Sequence, residues 1–237
     1  GTVVTSLLAL AISFPIGLAS AIFLAELAPR GLSNGLAFLI ELLAAVPSVV
    51  YGLVGIFLLI PVLFTVMPFF QKFFGWLPIF SGTFYGVSYF SASIVLAIMV
   101  VPFIVSISRE VLLSVPISQR EAMMALGATK WEVTWLAVVP YARQGIMGSI
   151  FLALARALGE TMAVTMVIGN VAQVSTSLLA PGYTIASVIA NEFTEATGDL
   201  YLHALIELGL VLFAVTMIFN ALARLLMLTM KGPEVTG

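Results

Sequence analysis

Charge is what this sequence has least of. Asp, Glu, Lys and Arg make up 8% of its 237 residues, against roughly 25% in a soluble domain. So few charges cannot cover a water-exposed surface. With a mean hydropathy of +1.19, most of the chain must face lipid or other apolar helices. Cysteine is absent, which excludes disulfides and thiolate metal sites. The single histidine, His203, cannot build a metal site alone, and no partner motif surrounds it. A membrane-embedded enzyme would have little to work with. No basic tract of the kind that holds nucleic acid occurs, and the net charge of −2 says little about a ligand. No Gly-x-x-x-x-Gly-Lys-Ser/Thr run is present, so any ATP must be hydrolysed by another chain. No cofactor is implied. The chain enters an apolar run directly at Gly1, with no positively charged leader ahead of it. That run is not a signal peptide, and a further upstream span is expected.

What is present is long apolar segments. Five stand out, at residues 2–25, 36–64, 89–107, 145–168 and 202–228. Each can cross a hydrocarbon core of about 30 Å, and without a barrel's alternation the only sensible spanning structure is the helix. The fold class is therefore all-α, a polytopic bundle with a five-span core, read as one domain over residues 1–237. The second segment is overlong and holds Pro47 and Pro61, which predicts a kinked or broken helix. Pro102 should bend the third. Inverted repeats, expected of an ion-driven secondary transporter, are not apparent.

The cations orient the bundle. With residues 109–143 in the cytoplasm, Arg30, Arg109, Arg120, Lys130, Arg143, Arg224 and Lys231 all fall on that side. Only Lys72 is then outside, and Arg156 is within a span; the positive-inside rule selects this orientation. The outer loops are then residues 65–88 and 170–201. Phe69, Phe70, Phe73, Phe74, Trp76 and Tyr85 in the first read as an interfacial aromatic anchor. Glu26 and Glu41 fall near the cytoplasmic ends of spans one and two, where snorkelling or helix-end pairing accounts for them.

Residues 108–143 carry seven charged side chains: Arg109, Glu110, Arg120, Glu121, Lys130, Glu132 and Arg143. Short helices on the membrane face are predicted there. Ser118, three residues before Glu121, offers a capping box for the first, and Gly127 can end it with a positive φ. Thr129 can cap a second helix through Trp131, Val133, Trp135 and Leu136, stopped before Pro140.

Arg156 and Glu160 lie inside the fourth segment. Counted from Gly145, Arg156 sits about 16 Å along the axis, near mid-bilayer, where an arginine costs roughly 2.5–3.5 kcal/mol. At a spacing of four, the two can share a helix face. Two readings stand. The pair can be a structural lock between spans, or Arg156 can offer its fork of donors to an oxyanion on a substrate path. In the second reading Glu160 can accept a hydrogen bond from protonated phosphate, which sulfate cannot supply.

Glu121-Ala122-Met123, Gly127 and Ala137-Val138-Val139-Pro140 resemble the "EAA" loop of ABC importer permeases, with Met123, Ala137 and Val139 replacing the usual Ala, Ile and Leu. The resemblance implies that Glu121, Ala122, Gly127 and Pro140 belong to a helix docked in an ATPase cleft. The run from Arg156-Ala-Leu-Gly-Glu160-Thr161 to Asn170 resembles the PstC-type permeases of bacterial phosphate importers, as do residues 22–29 and 41–52. The resemblance covers essentially the whole chain. It implies a multi-pass protein of the cell inner membrane carrying inorganic phosphate past Arg156, Glu160 and Thr161. It also implies a second, PstA-type permease, two ATPase subunits and a periplasmic phosphate-binding protein as partners. Another oxyanion such as molybdate or sulfate is the alternative cargo, and the Arg156–Glu160 run speaks against it.

Overall fold

The computed structural model describes residues 1–229, so Lys231 lies outside the described residues. It contains five helices long and apolar enough to cross a membrane. These are α1 (Thr2–Leu27), α3 (Ser48–Phe74), α4 (Tyr89–Leu113), α6 (Lys130–Gly159) and α9 (Asp199–Thr229). Between them lie α2 (Arg30–Ala44), α5 (Ile117–Ala125), α7 (Met162–Val167) and α8 (Ile185–Glu192).

α4 is the axis of the bundle and its most buried span, while α9 is the least buried. Leu96, Met99, Val100, Ile104, Val105 and Leu112 of α4 are all buried. Small residues let its neighbours approach. A Cβ on Gly17 of α1 would lie 2.8 Å from Ile104, and one on Gly145 of α6 would lie 2.3 Å from Val111. Lipid gives helices no hydrophobic drive toward each other, so such close backbone packing is what holds them. A buried Ser108–Ser149 hydrogen bond of 2.8 Å adds a polar tie between α4 and α6.

The second segment is indeed broken, but not where its span was expected to run. The chain leaves helix at Ala45 and re-enters at Ser48 with Pro47 as N-cap. A residue before proline is pushed out of the α region, and proline itself suits a helix start. α2 starts beside the inner end of α4, where Arg109 reaches Ser33 and Asn34 at 3.4 Å. Glu41 therefore sits in the last turn of α2, away from the cytoplasmic end where it was expected.

The fourth helix corrects two expectations. Thr129 does cap it, with a full capping box to Glu132, but Pro140 does not stop a helix there. α6 runs unbroken from Lys130 to Gly159. A π-turn at Thr134–Val138 precedes Pro140, and its wider ring takes the chain past a residue that cannot donate to the carbonyl four back. The other two π-turns among the described residues, Phe23–Leu27 and Gly55–Leu59, also end two residues before a proline, Pro29 and Pro61.

The outer aromatic cluster divides. Phe70, Phe80 and Phe90 meet at centroid distances of 5.0–6.1 Å over buried Leu63, Met67 and Leu179. Phe69, Phe73, Trp76 and Tyr85 remain exposed. Of the six residues expected to anchor the outer loop only Phe70 joins this small core, and Phe74 is exposed like the other four.

Candidate functional site

Arg156 occupies the last turn of α6. The helix ends at Gly159, and Glu160 is extended, with φ −69° and ψ 128°. The chain resumes as α7 two residues later. The shared helical face expected for Arg156 and Glu160 is therefore lost, and they form no ion pair among the described residues. Glu160 instead turns forward, where its Oε1 accepts from the Ala163 amide at 3.2 Å. That satisfies a donor at the start of α7 that the helix itself leaves open. Thr161, half-buried, donates through Oγ1 to Gly159 O at 3.3 Å, and its own carbonyl accepts from the Thr165 hydroxyl at 2.8 Å. Its side chain thus ties down the break.

The Arg156 side chain is exposed, and its guanidinium carbon lies 5.7 Å from the centre of the Phe103 ring. Phe103 is fourteen residues from the outer end of α4 and ten from the inner end, about 21 and 15 Å along the axis. Arg156 is therefore level with the middle of the bundle. The count from Gly145 does not give this depth, because the helix begins at Lys130. The Phe103 contact does. A cation over a ring gains about 0.5–2 kcal/mol, less than the cost of desolvating the charge.

The break before α3 lies next to the break after α6. Tyr51 donates its hydroxyl to Leu43 O at 2.7 Å, closing the gap between α2 and α3. At the next residue, a Cβ on Gly52 would lie 2.5 Å from Met166 Sδ and 3.3 Å from the Ala163 backbone. Two interrupted crossings thus meet beside one arginine. Tyr51 escaped the sequence reading, although Pro47 and Gly52 flanking it marked a helix start and a close approach.

At the inner end, α5 projects as a short helix that buries none of its residues. Glu121, Ala122, Met124 and Leu126 are exposed, Leu126 at 83%. Gly127 has φ +87°, the left-handed turn expected of it. The Ser118–Glu121 capping box is not formed. Pro116 is the N-cap and no side chain caps the helix. Pro140, exposed, sits inside α6 just after the π-turn rather than at a helix end. Glu26 and Arg120 form a bridge of 2.8 Å between α1 and α5, a pairing of residues 94 apart that no local pattern announces.

Residues 13–231 match the family described as "binding-protein-dependent transport system inner membrane component". A Mesorhizobium japonicum protein named phosphate transport system permease protein PstC is 49% identical over 96% of this chain and 71% of its own length. A Xylella fastidiosa protein of the same name is 50% identical over 99% and 74%. The Mycobacterium tuberculosis protein PstC 2 is 43% identical over 100% and 73%. A chain of the MetNI methionine ABC transporter superposes with a TM-score of 0.70 at 14% identity, covering 98% of this chain and 93% of that one. A chain from an amino acid ABC transporter with histidines gives 0.62 at 21%, covering 95% and 89%. These two share the fold. A broken-helix bundle with an exposed inner helix, matched by the family along nearly its whole length, is the membrane component of a transport system, and the chain belongs to the binding-protein-dependent transport system inner membrane components.

Proposed function

We propose that this chain is the PstC-type permease subunit of an ATP-driven importer that carries inorganic phosphate across the cell inner membrane. Its partners are a PstA-type second permease, two ATPase subunits and a periplasmic phosphate-binding protein. The names of relatives at 43–50% identity support the cargo. The observation that carries the reading is Arg156: a guanidinium at mid-depth, exposed on the isolated subunit, with a ring behind it and no ion pair to a carboxylate among the described residues. Left to lipid, that charge is costly. Facing a second permease across a wet path, it is a fork for an oxyanion. Glu160 supports discrimination. One of its oxygens holds the start of α7, and the other holds no hydrogen bond among the described residues. That oxygen can accept from hydrogen phosphate. Thr161, in the same break, lines the path with it.

Motion enters through Glu121, Ala122 and Gly127 on the α5 elbow and through Pro140 at the base of α6. An unburied helix that leaves Ile117, Met124 and Leu126 exposed outside the lipid needs a partner surface, and the cleft of an ATPase subunit supplies one. Closure of the ATPases moves α5, the spans open outward, the anion passes Arg156, and hydrolysis resets the bundle to release it inward.

The test is ATP-dependent phosphate uptake in vesicles holding all partners. Arg156→Ala is expected to remove uptake while leaving assembly intact; loss of assembly instead would return Arg156 to a structural lock. In the same assay Glu160→Gln is expected to erode preference for phosphate over sulfate, and an unchanged preference removes the carboxylate as selector.

A further inference from the structure

A helix that buries nothing cannot transmit a push by packing, so something else must fasten α5 to the spans. Met123 and Ala128 lean on the inner core, but the firmest link is Arg120. Its Nη2 meets Glu26 Oε1 at 2.8 Å, and its Nε meets Glu26 Oε2 at 3.4 Å. The same guanidinium donates to Leu112 O at 2.8 Å and to Val115 O. Four of the five donors an arginine carries are thereby engaged. Side-chain exposure is 17% for Arg120 and 11% for Glu26, so water competes weakly for the pair.

The partners belong to three different elements. Arg120 is on α5, Glu26 is in the π-turn that ends α1, and Leu112 closes α4, with Val115 just beyond it. Carbonyls at a helix end lack partners and carry partial negative charge, so a cation there is favoured. The linked spans are those in close contact at Gly17 and Ile104, and α4 carries Phe103 behind Arg156. A displacement of α5 thus has a short, stiff route to the arginine at mid-depth. The neighbouring cavity of about 680 Å³, lined by Arg30, Arg109 and Arg120, does not compete as an anion site, because Arg109 and Arg120 already hold partners.

We infer that Arg120, clamped to Glu26 and to the end of α4, is the positioning residue that converts movement of the α5 elbow into movement of α1 and α4. The inference rests on the proposal that α5 docks on an ATPase. A lysine keeps the charge but cannot reproduce the fork.

The test uses the complete transporter in vesicles, measuring phosphate imported per ATP hydrolysed, basal ATPase and its stimulation by the binding protein. Arg120→Lys, Glu26→Gln and the double variant are each expected to assemble, keep basal ATPase and lower the transport ratio by about fivefold or more. The double variant should be no worse than either single one. Gly127→Val serves as reference. If it uncouples while Arg120→Lys and Glu26→Gln transport normally, the brace is refuted and the docking proposal stands; if Gly127→Val is also silent, the docking proposal itself fails. The chain has no cysteine, so a Glu26→Cys, Arg120→Cys pair can be bridged by a reducible bifunctional thiol reagent. Bridging is expected to restore the ratio and reduction to abolish it. Should Arg120→Lys fail to assemble, and bridging the cysteine pair restore assembly without the ratio, Arg120 is structural and the inference is wrong.

Discussion

A single left-handed residue separates the elbow helix from α6. Gly127 has φ +87°, and a side chain there would meet nothing within 4 Å. Space is therefore no obstacle, and the constraint lies in the backbone, where an L-residue pays roughly 1–2 kcal/mol and a β-branched one is a genuine outlier. Gly127→Val is expected to leave expression intact, to tilt α5, and to cut phosphate uptake several-fold while ATP hydrolysis continues; normal stimulation by the binding protein would count against it. Glu192 offers a second test at this scale. Hydrogen bonds from Tyr201 and then Tyr183 hold its carboxyl below the usual carboxylate range, at 2.5 and 3.0 Å. A depressed folded value means that the tie is fully present above the unfolded value of about 4.3. It is lost as pH falls through the folded one. Protection of residues 183–201 from protease should therefore weaken on acidification, and Glu192→Gln should flatten that dependence. Gly127 and Thr129 were legible in the sequence because their roles are local. Ser118 was misread for the same reason: a capping pattern holds wherever its spacing occurs, and here Pro116 had already fixed the helix start.

Among elements, the sequence announced five crossings and one of their two interruptions. The break at Pro47 was visible because proline restricts the residue before it. The break at Glu160 was hidden inside Arg-Ala-Leu-Gly-Glu, where every residue but the glycine suits a helix and only tertiary contacts stop it. Pro140 misled in the opposite direction, because a π-turn absorbs a proline that would otherwise end the helix. Packing between elements is open to a direct test. Gly145 faces Val111, a β-branched side chain with little freedom to move away. Gly145→Leu is expected to push α6 off α4 and destabilise the subunit by about 1–3 kcal/mol, the usual cost of overpacking. Thermal unfolding in detergent measures it, and an unchanged midpoint would mean that the helices separate at no cost.

At the scale of the molecule, the gathering of cations at one end was readable and the interior was not. Arg30, Arg109 and Arg120, assigned to one side by charge bias, do line one cavity, while Gly1 and Thr2 meet Tyr183 and Ile185 at the other end. Such agreement follows from the physics of insertion, since cations stay where the membrane admits them least readily. The Glu26–Arg120 bridge and the close approach of Gly52 to Met166 depend on contacts between distant segments, which composition and period do not encode. Arg156 is exposed on the lone subunit, as the proposed function requires of a residue that supplies one wall of a path shared with a second permease.

A π-turn holds one residue more than an ordinary turn, and one residue is worth about 100° of helical rotation. The extra residue between Thr134 and Val138 is thus absorbed in one widened turn, and the bearing of Arg156 relative to the Trp131–Glu132 base is close to that of a plain helix one residue shorter. Removing a residue from the π-turn would leave that bearing nearly unchanged, whereas removing one from the plain helix between Val139 and Arg156 would shift the arginine by only about 1.5 Å along the axis yet swing it by more than a quarter-circle, aiming it at a different neighbour altogether.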